Sequence, residues 1–319
     1  MKLKFKNIFL VCVILVSVVV LTGCDNSNYG KNEDNTLDII TSFYPMYIAT
    51  ANIIDGVENV NLECLASPEV GCLHDYQLTV KDMMKLEKAD VFVINGGGME
   101  SFLDKAISVY PEMKIINTSE AIIGEVAEES HENDIQEEHD HEHNHEHLHG
   151  STNPHVWVSI DLHIHQIEEI TQHLIEIDSE NREKYEQNAK VYIEKLEVLS
   201  AQMHNELDIL PNKDIITFHE AFHYFAEEFG LNVMAVIERE PGTSPSARDL
   251  ANIIDTVNMY DVSAIFVEPQ YLKTAANTIA NETGVSVFEL DPATSGNFEK
   301  DAYIEIMEKN LEALKEALK

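Results

Sequence analysis

The sequence predicts an α/β fold: two βα lobes, each built on a mostly parallel four-stranded sheet, joined by one long rigid helix. Three observations carry that class. From residue 37 onward, short apolar runs alternate with stretches of helical period, the pattern of parallel strands with covered faces. The alternation runs through the chain twice. Between the two halves, residues 179 to 204 hold a helical period with neither glycine nor proline.

In order, Leu37-Asp38-Ile39-Ile40 opens a strand, and a helix follows from Tyr44 through Ile54. Val60 to Leu65 is the second strand. The loop from Ser67 to Tyr76 carries His74 and leads to a helix over Leu78 to Lys88. Val91 to Ile94 is a fully apolar strand stopped by Gly96, Gly97 and Gly98. A helix over Met99 to Val109 and a strand at Lys114 to Ile116 follow. Residues 124–150 break the pattern: they hold no lysine or arginine and almost no apolar residue, so they read as a disordered loop. Order returns at Asn153, and Ile160 to Glu176 is helical. In the bridging helix Tyr185, Ala189, Tyr192, Leu196 and Leu199 fall near one face, with Asp178 or Ser179 as N-cap. The second half takes strands at Asp214–Phe218, Asn232–Ile237, Ala264–Val267 and Val285–Leu290. Its helices run from Glu220 to Phe229, where Gly230 ends the turn, and near Pro245–Asn258, Leu272–Thr283 and Asp301–Leu318. The expected layout is an N-terminal lobe over 37–177, a linker helix over 178–210 and a C-terminal lobe over 211–319.

Ahead of the lobes, residues 1–23 read as a secretory signal. Lys2, Lys4 and Lys6 precede an apolar run from Ile8 to Leu21 that is short for a membrane span. Leu21-Thr22-Gly23-Cys24 resembles a bacterial lipobox, in which Cys24 is lipidated and becomes the mature N-terminus; an uncleaved anchor helix is the alternative. Residues 24–36 are a polar tether. The expected location is the extracytoplasmic face of the cell membrane, held there by lipid. Cys12 leaves with the signal. Cys64 and Cys72 remain, either bonded in a compartment that permits disulfides or present as two thiols. A formal net charge of −36 argues against a nucleic-acid partner, whose phosphates would repel it, and suits solubility or a cationic ligand.

In open α/β sheets, ligands bind beyond the carboxyl ends of the strands. Four donor residues stand at such positions: His74 after the second strand, His155 before a helix, His219 straight after the fifth strand, and Asp291 after the last. Three imidazoles and one carboxylate make a closed tetrahedral set. Zinc accepts those donors, whereas a hard-cation site would be mostly oxygen. Each residue alone reads as polar surface; their joint placement points to one metal ion in the cleft between the lobes.

The stretches G-C-L-H-D-Y-Q-L-T-V-K-D, A-D-V-F-V-I-N-G-G-G-M-E, N-P-H-V-W-V-S, T-F-H-E-A-F-H-Y-F, P-S-A-R-D-L, F-V-E-P-Q and L-D-P-A-T add a family likeness. In that order, over nearly the whole mature chain, the sequence resembles the metal-binding solute-binding lipoproteins of bacterial ABC importers, in the cluster serving zinc and manganese. The resemblance implies that His74, His155, His219 and Asp291 fall on the family's four metal-ligand positions. Manganese members place a glutamate where this chain has His219. Zinc members place a histidine there and often insert a His-rich acidic loop before the second ligand; both features are present. The Cys64/Cys72 pair and His223 depart from the pattern. The implied protein is an extracytoplasmic receptor, not an enzyme. It takes one Zn2+ tightly, as a monomer, and hands it to a permease driven by a cytoplasmic ATPase.

Three rivals stand beside that reading. One is a manganese or iron receptor of the same fold. Another is a zinc protease, because His219-Glu220-Ala221-Phe222-His223 matches H-E-x-x-H, in which the two histidines bind zinc and the glutamate is the general base. Such motifs lie within a helix, whereas here His219 stands at the junction of strand and helix, so His223 reads as a residue beside the site or on the surface. A surface adhesin is the third, for which no stretch of the sequence speaks. His139, His141, His143, His145, His147 and His149 alternate with acids in a pattern suited to weak, exchanging zinc. That loop gathers the metal, senses it, or is merely solvated. Glu268 is placed to orient a ligand histidine. Glu100 reads as a cap or a solvent-facing group, and Trp157, Phe218, Phe222 and Phe225 as core.

Overall fold

The computed structural model describes residues 36–73, 76–124, 153–238, 245–260, 262–271 and 273–319. The signal, Cys24, most of the tether, His74 and the six histidines from His139 to His149 lie outside the described residues.

Leu37–Thr41 (β1), Val60–Cys64 (β2), Val91–Ile94 (β3) and Lys114–Asn117 (β4) form a sheet ordered β2-β1-β3-β4, parallel at every pairing. Asp214–Thr217 (β5), Asn232–Val236 (β6), Ala264–Val267 (β7) and Ser286–Glu289 (β8) repeat that order as β6-β5-β7-β8, again all parallel. The repeated order puts a topological switch between β1 and β3 in one sheet and between β5 and β7 in the other. The crevice beyond the carboxyl ends of such strands is where α/β sheets bind ligands. Val91, Phe92, Val93, Ala264 and Ile265 are fully buried, which is why these runs are continuously apolar rather than alternating.

Helices cover the sheets: Tyr44–Ile53 (α1), Val80–Leu86 (α2), Asp104–Ile107 (α3), Ile160–Ile177 (α4), Arg182–Leu207 (α5), His223–Glu228 (α6), Ala247–Tyr260 (α7), Thr274–Thr283 (α8) and Ala302–Ala317 (α9). The long helix α5 has 26 residues, so it runs about 39 Å. It buries Tyr185, Ala189, Tyr192, Leu196, Leu199, Met203 and Leu207 and packs on α1, α4 and α9. That stripe belongs to one continuous core that also holds Ile39, Val91 and Ile116 of the first sheet and Ile215, Ala264 and Phe266 of the second. The brace and one face of each sheet therefore share an apolar interior, while the opposite faces pack in clusters of their own.

Three local expectations change. The helix expected over Met99 to Val109 is a 3-10 turn at Ser101–Leu103 followed by the four residues of α3. Glu100 is the reason. It is buried rather than solvent-facing, and its carboxylate accepts the backbone N–H of Asn95 at 2.8 Å and of Gly96 at 3.0 Å and the Ser42 hydroxyl at 2.8 Å. Positive φ angles of 85°, 63° and 87° at Gly96, Gly97 and Gly98 fold the backbone around that carboxylate, a path a side-chain-bearing residue resists. The residues after His219 likewise begin as a 3-10 turn, Glu220–Phe222, before the six residues of α6. Asp178 makes no capping bond; its carboxylate instead accepts the Tyr185 hydroxyl and the Asn181 amide, each at 2.7 Å.

Candidate metal centre

Strand β5 delivers His219. Phe218 still follows the sheet, its N–H donating to the Phe266 carbonyl at 2.8 Å, and His219 keeps extended angles of φ −125° and ψ 162°. The chain turns only after the imidazole has left the strand. His219 is 1% exposed. Its ring centroid lies 4.8 Å from that of His155, with the two planes at 83°.

His155 is fully buried and is held by Asn153. The Asn153 side-chain oxygen accepts the His155 backbone N–H at 3.0 Å and lies 2.7 Å from its Nδ1. The Asn153 amide donates to the Glu220 carbonyl at 2.9 Å, and the Tyr224 hydroxyl donates to the Asn153 carbonyl at 3.0 Å. One asparagine thus clamps the loop of His155 to the turn after His219. With Nδ1 engaged, Nε2 is the nitrogen that His155 presents. Cys72 Sγ stands 3.4 Å from that Nε2.

Glu268 follows β7, across the switch point from His219, and is 1% exposed. Its Oε1 lies 3.2 Å from His219 Nδ1, yet the approach is oblique, and neither carboxylate oxygen receives a hydrogen bond among the described residues. A buried carboxylate with that little satisfaction is costly unless a cation stands nearby.

Asp291 follows β8. Its Oδ1 accepts the Ala293 N–H at 2.8 Å, and Asn310 grips its backbone from both sides, at 2.8 and 2.7 Å. Burial pushes its carboxyl up to about 6; the Ala293 bond opposes that rise, and the charges of Glu268 and Glu289 add to it. One residue on, the Pro292 carbonyl accepts the Trp157 indole N–H at 2.7 Å, which ties the Asp291 loop to the segment that follows His155.

Of the sequence-derived donors, His155 and His219 are in ring contact, with Glu268 beside them, and Asp291 is near enough to feel the Glu268 charge. His74 lies outside the described residues. His223 is exposed and meets Tyr224 edge-on, with ring centroids 5.4 Å apart. It opens α6 while His219 stands outside any helix, so the two histidines do not share a helical face as a zincin pair does. No disulfide joins Cys64 to Cys72, and burial pushes the Cys64 thiol up to about 11. The sequence gives Asn153 no role and Cys72 only that of a thiol or disulfide partner, because their contacts to His155 are reported by no periodicity.

Among the described residues, the three donors that come within 4.8 Å of one another are those of Asp161, His204 and Glu228; no three of Cys72, His155, His219, Glu268 and Asp291 gather that closely. There Glu228 accepts the Ile160 N–H at 2.8 Å, and the Ser200 hydroxyl reaches Asp161 at 3.2 Å and Glu228 at 3.4 Å. Those bonds already employ both carboxylates in tying α4, α5 and the end of α6 together.

Residues 39–317 match the family ZnuA, described as zinc-uptake complex component A, periplasmic. The chain is 33% identical to the high-affinity zinc uptake system protein ZnuA of Bacillus subtilis over 99% of this chain and 98% of that protein. It is 32% identical to the zinc-binding lipoprotein AdcA of Streptococcus pneumoniae over 93% of this chain, and spans 58% of that longer protein. Among solved structures, the solute-binding protein FpvC of Pseudomonas aeruginosa in complex with Mn2+ superposes with a TM-score of 0.74 at 26% identity, over 89% of this chain and 98% of that one.

Proposed function

We propose, from the fact that this chain belongs to the ZnuA family of zinc-uptake components, that it is an extracytoplasmic receptor which captures Zn2+ in the cleft between its sheets and delivers it to an ABC importer. The observation that carries the site is the pair of buried imidazoles, His155 and His219, flanked by a Glu268 carboxylate that no donor among the described residues satisfies. Nitrogen donors of this kind suit zinc. In our reading His74, His155, His219 and Asp291 hold the ion, Asn153 and Glu268 orient the two rings, and no bond of any substrate is broken. Lipid on Cys24 keeps the monomeric receptor at the membrane near its permease and ATPase, and the His-rich loop supplies weaker, exchanging sites.

Binding needs neutral imidazoles and an ionised Asp291, so zinc affinity falls as pH drops through about 6.5 and below, where protons compete for the same atoms. Metal analysis and calorimetric titration of the purified protein test the reading. One tightly held zinc per chain should survive deletion of residues 125–150. His155→Ala and His219→Ala should each weaken it by more than the roughly 10–100-fold that loss of an orienting partner costs. Undiminished affinity in both variants overturns the assignment.

Manganese is the second reading, because FpvC is seen with Mn2+. Replacing His219 by glutamate separates the two. A move from zinc towards manganese preference is expected if the imidazole sets the choice, since oxygen donors suit manganese.

A further inference from the structure

We infer that the loop after β3 is the mount of a metal donor: Asn95 and Gly97 are positioning residues that set where His155 presents its imidazole. The inference rests on the metal-receptor reading and deepens it by naming what aims one of the ligands.

His155 is the middle residue of a tight turn. Its angles are φ −80° and ψ 46°, and the Val156 N–H donates to the Pro154 carbonyl at 2.9 Å, which together make an inverse γ-turn. Such a turn fixes the ring relative to its own peptide groups but not relative to the sheets. Asn95 supplies that second constraint. It follows β3 and is fully buried, and its side-chain amide donates to the same Pro154 carbonyl at 2.8 Å and to the Gly96 carbonyl at 2.9 Å. Its side-chain oxygen accepts the Gln166 amide at 2.9 Å. Carbonyl oxygens only accept, so the two beside the amide nitrogen fix which way the Asn95 side chain points. Asn95 is itself pinned, because buried Glu100 takes its backbone N–H at 2.8 Å.

Gly97 closes the cradle. At φ 63° it brings bare backbone against the turn, and a Cβ there would stand 3.3 Å from Pro154 Cα and 2.6 Å from Ile123 Cδ1. The Ile123 methyl can rotate away, whereas the Pro154 backbone yields only by carrying His155 with it. A Cβ on Gly98, at φ 87°, would meet nothing within 4 Å. The bonds point to aim more than to bare stability. Without the Asn95 amide, the Pro154 carbonyl still accepts the Val156 N–H, and the Gln166 amide still reaches the Thr118 and Ser119 hydroxyls, each at 2.9 Å. What is lost is the tie between β3 and the turn. A donor held in place beforehand has less freedom to lose when the ion arrives, so loosening it weakens binding.

Zinc titration against a competing chelator, with melting recorded in excess chelator, tests this. Asn95→Ala and Gly97→Ala should each bind zinc about 10–100-fold more weakly. Gly98→Ala carries a similar positive-φ strain without touching the turn, so it should lower the melting temperature as Gly97→Ala does and leave zinc affinity unchanged. In His155→Ala protein, adding Asn95→Ala should cost no further affinity, since no imidazole is left to aim. Unchanged affinity in Asn95→Ala or Gly97→Ala, equal losses in Gly97→Ala and Gly98→Ala, or a fully additive loss in the double variant overturns the inference and leaves the receptor intact. If Asn95→Ala does not fold, the two glycine variants decide alone; if Gly97→Ala does not fold, the double variant decides. An unaltered protein that binds no zinc overturns the receptor reading and the inference with it.

Discussion

Asp291 lies half-buried near Glu268 and Glu289, and burial is the larger reason its carboxyl titrates at about 6. In an unfolded chain the same group titrates near about 3.9. Between those values the folded protein keeps a proton that the unfolded chain has lost. The contribution to stability is therefore fully present below about pH 4 and is lost as pH rises through about 6. Above that pH the metal-free protein carries a buried negative charge, which a bound cation relieves. Asp291→Asn removes the charge at every pH. Scanning calorimetry in the presence of a chelator should show the variant melting higher than the parent at pH 8, with the gap closing towards pH 4, while zinc affinity falls. An unchanged gap across that range would mean the carboxylate is not destabilising the empty cleft. His219 at a strand end was legible from the sequence, because a histidine between an apolar run and a helical period marks its own position. Cys72 was not: its neighbour His155 lies 83 residues away.

At the scale of the element, α5 is the brace. Its apolar side chains at Tyr185, Ala189, Tyr192, Leu196 and Leu199 recur at three- and four-residue intervals, and all are buried. Leu196→Ala empties part of a fully buried site, which costs about 2–5 kcal/mol. Urea denaturation followed by dichroism should show a lowered midpoint in a single transition, because the stripe and one face of each sheet share one core. Zinc affinity of the folded variant should stay as it was, since no site residue belongs to this helix. A strong loss of affinity at unchanged stability would show that α5 transmits strain to the cleft. The long helix was readable because its period persists over many turns. The short helix after the glycine run was misread because Met99 to Val109 has a helical pattern, but Glu100 is spent on the backbone of Asn95 and Gly96 instead. A single buried carboxylate outweighs a weak local preference.

For the whole molecule, Trp157 matters most. Its ring meets Phe43 edge-on at 4.9 Å, its N–H donates to Pro292, and its carbonyl accepts the Tyr303 hydroxyl at 2.8 Å. It joins the loop of His155 to that of Asp291 and to α9. Trp157→Phe keeps most of the apolar volume but strands the Pro292 carbonyl, a loss of about 1–3 kcal/mol. Because Trp157 is the chain's one tryptophan, dichroism rather than fluorescence must follow the unfolding. The variant should unfold at lower urea and bind zinc more weakly, as the loops bearing His155 and Asp291 drift apart; equal stability would show the hydrogen bond to be dispensable. The sequence by itself determined the two parallel sheets, the helix between them and the place of His219 at a strand end, because each is a matter of periodicity and local order along the chain. Only the tertiary structure decided that Asn153 engages Nδ1 of His155, that Cys72 faces its Nε2, that Glu100 is buried and that no disulfide joins Cys64 to Cys72. Those outcomes depend on how closely segments far apart in sequence approach, and that distance is set by the packing of a shared core rather than by any pattern in the chain.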